Sequence, residues 1–284
     1  MQIENIDFQV KTLLLSFAIT IVISLIITPI LKRLKVGQVE REEGPQSHFS
    51  KQGTPTMGGI IIILSTIIVT AGMYIYYYKT DMQISTKMLP LILASIGFGI
   101  VGFIDDFKKV ILRNTKGLSP RSKILGILLI SVAYTLFLLK ALNIGTDTYI
   151  PIIKQFITIP VWIYIPAAIF IILSTTNAIN LTDGVDGLGA GVSTIIITCL
   201  TVIGIILDVK EVAVFGSIVI GCGLGFLLFN LNPAKVFMGD TGSLLLRRCY
   251  IYNCLISKTS VIITCNSVNT SNRNNICNYT GFVF

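Results

Sequence analysis

Three acidic motifs stand at the edges of apolar stretches in this 284-residue chain. Asp105-Asp106 closes one stretch, Asn177-Ala-Ile-Asn-Leu-Thr-Asp-Gly-Val-Asp186 follows another, and Phe237-Met-Gly-Asp-Thr-Gly-Ser243 precedes a third. Carboxylates are costly beside hydrocarbon, so a set of them at such edges points to function. Hard carboxylate oxygens next to substrate phosphates are the usual surroundings of magnesium. The chemistry implied is magnesium-dependent work on a phosphorylated substrate at a membrane face.

Each motif offers different groups. Adjacent helical residues diverge by about 100°, so Asp105 and Asp106 cannot present one flat bidentate face. One carboxylate can face a reacting centre while the other orients a metal, a lysine or a polar neighbour. Lys108 and Lys109 provide a plainer explanation for the pair, but acids at a helix C-terminus oppose the macrodipole. In the second motif Asn177, Asn180, Asp183 and Asp186 recur at every third position among Gly184, Gly187, Gly189 and Gly191. That glycine density permits tight turns and close backbone approach to a ligand. A calcium loop is excluded by the missing terminal Glu of the twelve-residue pattern. In the third motif Asp240 is a hard ligand before a helix start, whose free N–H groups can cradle a pyrophosphate. Phe237, just upstream, offers a stacking face for a base. His48, the only histidine, lies in a polar loop that also holds Lys51, a phosphate or uridine contact.

These groups must be held by membrane helices. Apolar residues make up 53% of the chain and charged residues 13%, with mean hydropathy +0.81. A soluble domain carries about 25% charged residues. Apolar stretches fall at 13–31, 57–78, 88–104, 124–142, 161–177, 188–207 and 211–229, with a further helix starting near Ser243. The fold class is therefore all-α and polytopic, an integral membrane protein with seven to eight transmembrane helices here. The first span lacks a small-residue cleavage site and is not a signal peptide. Basic residues gather at Lys32, Arg33 and Lys35, and again from Lys108 to Lys123. The positive-inside rule then puts the N-terminus outside, and all three acidic motifs fall on the cytoplasmic side with both basic loops. The net charge of +8 also favours anionic lipid; a nucleic-acid partner is not expected.

Residues 247–284 differ in character. They hold seven Asn, as many as the preceding 246 residues, with four of the six Cys and no Asp, Glu, Ala or Pro. Their cysteine spacing matches no zinc pattern. If Arg247-Arg248-Cys249-Tyr250 is encoded AGG-AGG-TGC-TAT, a one-base shift reads Gly-Gly-Ala-Ile, a natural helix continuation. The expectation is a membrane domain over 1–246 and an atypical, frameshifted or disordered tail over 247–284.

Read in order, Ser47-His48 with Lys51-Gln-Gly-Thr-Pro-Thr-Met-Gly-Gly59, Asp105-Asp106, Asn180-Leu-Thr-Asp-Gly-Val-Asp-Gly187 and Phe237-Met-Gly-Asp-Thr-Gly-Ser243 closely resemble one family. It is the bacterial phospho-N-acetylmuramoyl-pentapeptide transferases, a branch of the polyprenyl-phosphate N-acetylhexosamine-1-phosphate transferases. The Gly-Thr-Pro-Thr-Met-Gly-Gly string favours this branch over its N-acetylglucosamine relatives. The resemblance implies ten transmembrane helices, frequent dimers, and a cleft on the cytoplasmic face of the bacterial plasma membrane. It implies that undecaprenyl phosphate and UDP-N-acetylmuramoyl-pentapeptide react to give lipid I and UMP, with Mg2+ required. By the same resemblance Asp240 is the magnesium ligand, and Asp105 and Asp106 lie near the reacting phosphates. Asp106 deprotonates the lipid phosphate, or a covalent aspartyl intermediate forms. Asp183, Gly184, Val185 and Asp186 line the uridine pocket, Phe237 stacks on uracil, Lys51 contacts that moiety, and Asn180 and Asn230 are polar supports.

The family carries a histidine-rich loop near its C-terminus, and this chain has no histidine after His48. An inactive remnant of the enzyme is therefore one alternative reading. Another is a different polyprenyl-phosphate sugar-1-phosphate transferase. The third is an ion transporter, but its carboxylates would sit near the bilayer centre rather than at one face.

Overall fold

In the computed structural model the described residues are 3–33, 54–110, 117–140, 145–150, 155–180 and 186–246. Seven long helices run in chain order: α1 (Ile3–Arg33), α2 (Gly59–Thr80), α3 (Met82–Val110), α4 (Pro120–Lys140), α5 (Val161–Asn180), α6 (Leu188–Ile206) and α7 (Lys210–Asn230). A further helical segment, α8, occupies 239–246. Six of these helices are long and apolar enough to cross a membrane, and Val161–Phe170 of α5 is a shorter apolar stretch. The molecule is an all-α polytopic membrane protein, as its long apolar stretches imply. The seven expected spans each fall on one observed helix. A small antiparallel hairpin, β1 (Asp147–Ile150) with β2 (Gln155–Thr158), adds to them between α4 and α5, outside the expected spans. Asp147 faces Thr158 in its register, and the Thr158 hydroxyl donates to Asp147 Oδ1 at 2.7 Å.

Helix α7 is the hub, packing against α1, α2, α3 and α6, with sixteen of its 21 residues buried. Lipid tails are as apolar as Leu, so helices in a bilayer associate through close packing, and small residues permit it. A Cβ on Gly221 would lie 2.3 Å from the Leu13 carbonyl oxygen, and one on Gly225 would lie 2.8 Å from Thr20 Cβ. On the facing side of α1, Thr12, Ser16, Thr20, Ser24 and Thr28 recur every fourth residue, and all are buried. Ser16 and Thr20 donate to the carbonyls of Thr12 and Ser16, both at 2.7 Å, so these hydroxyls need no partner outside their own helix. On the opposite side of α7, Thr201 and Thr194 of α6 fill the space over Gly216 and Gly223.

One end of this bundle is knitted together across the chain. Gly58 N–H donates to the Phe237 carbonyl at 2.8 Å, Gly59 N–H to that of Met238 at 2.7 Å, and Phe237 N–H to that of Pro55 at 2.8 Å. The start of α2 is thereby fixed to the segment leading into α8. Glycine makes the approach possible. A Cβ on Gly59 would meet Gly242 N at 1.9 Å, and one on Gly102 of α3 would meet the Asp240 carbonyl oxygen at 2.6 Å. The backbones of α2, α3 and α8 therefore meet with no side chain between them.

Candidate active site

The α2–α3–α8 junction brings together three carboxylates from motifs about 135 residues apart in sequence. Asp105 and Asp106, in the last turns of α3, are both buried, at 2% and 4% exposure. Asp240 joins them from the first turn of α8. The 100° divergence along α3 separates the two neighbours as expected.

Asp105 faces a pair of lysines. Its Oδ2 accepts from Lys109 Nζ at 2.8 Å and Lys123 Nζ at 3.1 Å. Its Oδ1 accepts the Leu118 N–H at 2.7 Å. Lys109 lies one turn along α3 from Asp105, while Lys123 comes from the first turn of α4. The chain reaches Leu118 through Gly117 at φ +63°, where a Cβ would lie 2.6 Å from Asp105 Oδ1. Only glycine takes that left-handed turn without strain against the carboxylate.

The same two lysines also hold Asp240. Lys123 Nζ lies 3.0 Å from its Oδ2, and Lys109 Nζ contacts the same atom. Burial opposes charge on Asp240. The ammonium groups of Lys123 and Lys109 outweigh that, holding the Asp240 carboxyl below the usual carboxylate range. Asp240 therefore stays ionised.

Asp106 points elsewhere. Its Oδ1 accepts the Asp240 N–H at 3.1 Å, and its Oδ2 accepts the Thr241 N–H at 2.8 Å and the Thr241 hydroxyl. Gly239, with φ +71°, leaves the room for it, since a Cβ there would lie 2.7 Å from Asp106 Oδ2.

Two more expected residues brace the approach to α8. Buried Asn230, the last residue of α7, donates from Nδ2 to the Val236 carbonyl at 2.9 Å. Asp186 accepts from Asn232 Nδ2 at 3.2 Å and from the Ala234 N–H at 3.4 Å, tying the turn before α6 to the same loop. Phe237 is half-buried and fixed through its backbone to Pro55 and Gly58. Asn180 is the last residue of α5; only its backbone is described. Lys51, Asp183, Gly184 and Val185 lie outside the described residues, as do His48 and the tail 247–284.

A divalent cation suits this donor set. Asp105 Oδ2 and Asp240 Oδ2 already converge on shared cationic groups, so two hard oxygens point at one place that demands positive charge. Among the described residues no group of three or more His, Cys, Asp or Glu side chains is arranged to hold a metal. Magnesium asks for less, one or two carboxylates with water and substrate phosphate completing its shell.

The sequence reading passed over Lys109, Lys123 and Thr241 as site residues. Lys109 was legible from its four-residue spacing to Asp105. Lys123 and Thr241 carried no such local signal.

Comparison with known proteins gives the family. Residues 88–258 match the Glycosyl transferase family 4, and residues 51–63 match phospho-N-acetylmuramoyl-pentapeptide-transferase signature 1. The chain is 43% identical over 253 residues to the phospho-N-acetylmuramoyl-pentapeptide-transferase of Halalkalibacterium halodurans, covering 89% of this chain and 76% of that one. The chain belongs to the phospho-N-acetylmuramoyl-pentapeptide-transferase family. The transferase of Caldicellulosiruptor bescii is 41% identical over 254 residues, and that of Bacillus subtilis is 39% identical over 253. Each alignment covers 89% of this chain and 76% of the relative. Family membership over this much of the chain does not favour the reading of an inactive remnant. It also sets aside the transporter, because the family is one of transferases. The signature match includes Pro55–Gly59, the segment that pairs with Phe237 and Met238 and seats the start of α2 on α8.

Proposed function

We infer that this protein transfers phospho-N-acetylmuramoyl-pentapeptide from its UDP conjugate to undecaprenyl phosphate, forming lipid I and releasing UMP for peptidoglycan synthesis. The observation that carries the reading is the convergence of Asp105, Asp240, Lys109 and Lys123 at one end of a helical bundle, in a chain of this family. An oxygen of the lipid phosphate bonds to the sugar-bearing phosphorus while the bridging bond to the UMP oxygen breaks. Such transfers depend chiefly on positioning and on neutralising phosphoryl charge.

The residues divide that work. Asp240, kept ionised, and Asp105 would hold Mg2+. When bound, the metal supplies positive charge to the pyrophosphate. Lys109 and Lys123, now shared between the two carboxylates, turn to the phosphoryl oxygens when the polyanion arrives. Leu118 N–H keeps Asp105 oriented meanwhile. Direct transfer fits better than an aspartyl intermediate, because Asp105 accepts from two ammonium groups and an amide, which leaves it a poor nucleophile. Asp183, Gly184, Val185 and Asp186 with Lys51 and Phe237 are assigned to the uridine, and Asn180 and Asn230 to supporting polar roles. One substrate is dissolved in lipid and the other in the cytosol, so the site belongs at the cytoplasmic boundary. The charge distribution supports an N-terminus outside, and the family resemblance supports a homodimer.

The test is UMP release by the purified full chain in detergent, with both substrates, with and without Mg2+. Wild type is expected to release UMP only when all three are present, and Asp240→Ala to fall by about 10²-fold or more. UMP release that persists unchanged in Asp240→Ala would sink the metal assignment.

A further inference from the structure

We propose that Asp106 is a positioning residue: it caps helix α8 and so holds Asp240 against Asp105, and it does not exchange a proton with the acceptor phosphate. This rests on the reading of Asp240 as the metal ligand.

The first amides of a helix have no partner within it and need an outside acceptor. Normally the residue just before the helix supplies one from its own side chain. Here that residue is Met238, which has no oxygen to offer. Asp106 reaches across from α3 instead, and its two oxygens take the N–H groups of Asp240 and Thr241 and the Thr241 hydroxyl. A negative charge at a helix N-terminus is also favourable. Gly239 is bent out of the way at φ +71°, and the carboxylate occupies the space where a side chain of residue 239 would project.

The consequence for the site is geometric. Asp105, Asp106 and Lys109 ride on one helix, so fastening the Asp240 backbone to Asp106 fixes the Asp240 carboxylate relative to Asp105 and its lysines. A general base must lie within hydrogen-bond reach of its proton with an acceptor position to spare. Asp106 has three of its roughly four acceptor positions filled by α8, and it is 4% exposed. Among the described residues no cation pairs with it, whereas Asp105 and Asp240 share two. Neighbours in sequence thus have separate tasks.

Asparagine accepts through its one oxygen, which can keep both Thr241 bonds while the Asp240 amide loses its partner, and it takes up no proton near neutral pH. Purified full-length Asp106→Asn, Asp106→Ala and Asp240→Ala are compared with wild type in three measurements. These are Mn2+ binding by paramagnetic resonance, UMP release as a function of Mg2+, and hydrogen exchange of the amides in 239–242. Asp106→Asn is expected to keep kcat within about tenfold of wild type and to weaken Mn2+ binding by less than about tenfold. Asp106→Ala is expected to weaken Mn2+ binding by more than tenfold and to speed amide exchange, with Asn restoring most of both. The proposal is overturned if Asp106→Asn loses kcat as completely as Ala, by about 10²-fold or more, while Mn2+ binding stays at the wild-type level. It is also overturned if neither substitution alters exchange in 239–242. Wild-type Mn2+ binding by Asp240→Ala would instead refute the metal reading, and the exchange data would still decide the cap.

Discussion

At the α1–α7 seam the hydroxyls of Ser16 and Thr20 bond to carbonyls of their own helix, whereas at the α2–α3–α8 junction the polar groups bond between elements. Both contacts use glycine to bring backbones close, at Gly221 and Gly225 in one and at Gly59 and Gly102 in the other. The seam has few polar bonds between its helices, Ser217 to Gln9 at 3.3 Å among them, so it can adjust to a bulkier residue at little polar cost. The junction cannot, because any shift there breaks bonds to Phe237, Met238 or Asp106 and carries Asp240 with it. Similar packing therefore predicts different consequences, lost stability in the first region and, on the proposed function, lost turnover in the second.

The sharpest way to break the comparison is Gly59→Ala. Its methyl would sit 1.9 Å from Gly242 N, so α8 must move. A displacement of about 1 Å can reduce turnover by about 10²-fold, and that loss is expected in UMP release per folded molecule. Gly117→Ala is next. It forces a left-handed alanine against Asp105 and Lys109, at a strain of about 1–2 kcal/mol, and a loss of about tenfold in kcat/KM is expected. Gly221→Ala should do the reverse of these. Overpacking against Leu13 should lower stability by about 1–3 kcal/mol in a detergent melt, with activity per folded molecule close to wild type. A drop in specific activity as large as that of Gly59→Ala would erase the distinction between the two regions. Thr20→Ala should have the smallest effect, about 0.6 kcal/mol or less in the same melt, because its hydroxyl proton is already taken by the Ser16 carbonyl of its own helix.

The spans were legible because a bilayer imposes one length and one polarity on every helix, and the observed boundaries of α5, α6 and α7 follow the apolar runs closely. The opposed directions of Asp105 and Asp106 were legible too, from helical geometry alone. Their particular partners were not. Which carboxylate meets the lysines depends on how α3 is rotated against α8, and that is set by contacts such as Gly102 on Asp240 across the bundle. Lys123 is 18 residues from Asp105 and reaches it only because α3 and α4 pack as neighbours. The β1–β2 hairpin escaped notice because its strands are four residues each, within a segment whose composition reads as loop.

The bridge between Pro55 and Phe237 also orders events during synthesis. Chains enter the membrane N-terminus first, so the amides of Gly58 and Gly59 are made long before the carbonyls of Phe237 and Met238 that they bind. Asp106 likewise precedes the Thr241 amide by 135 residues. Until α8 arrives these groups must be satisfied by water or by other partners, since a bare polar group in hydrocarbon is costly. The candidate site thus closes only after α8 is made, and a nascent protein can hold α1 to α7 in place before Asp105 and Asp240 meet.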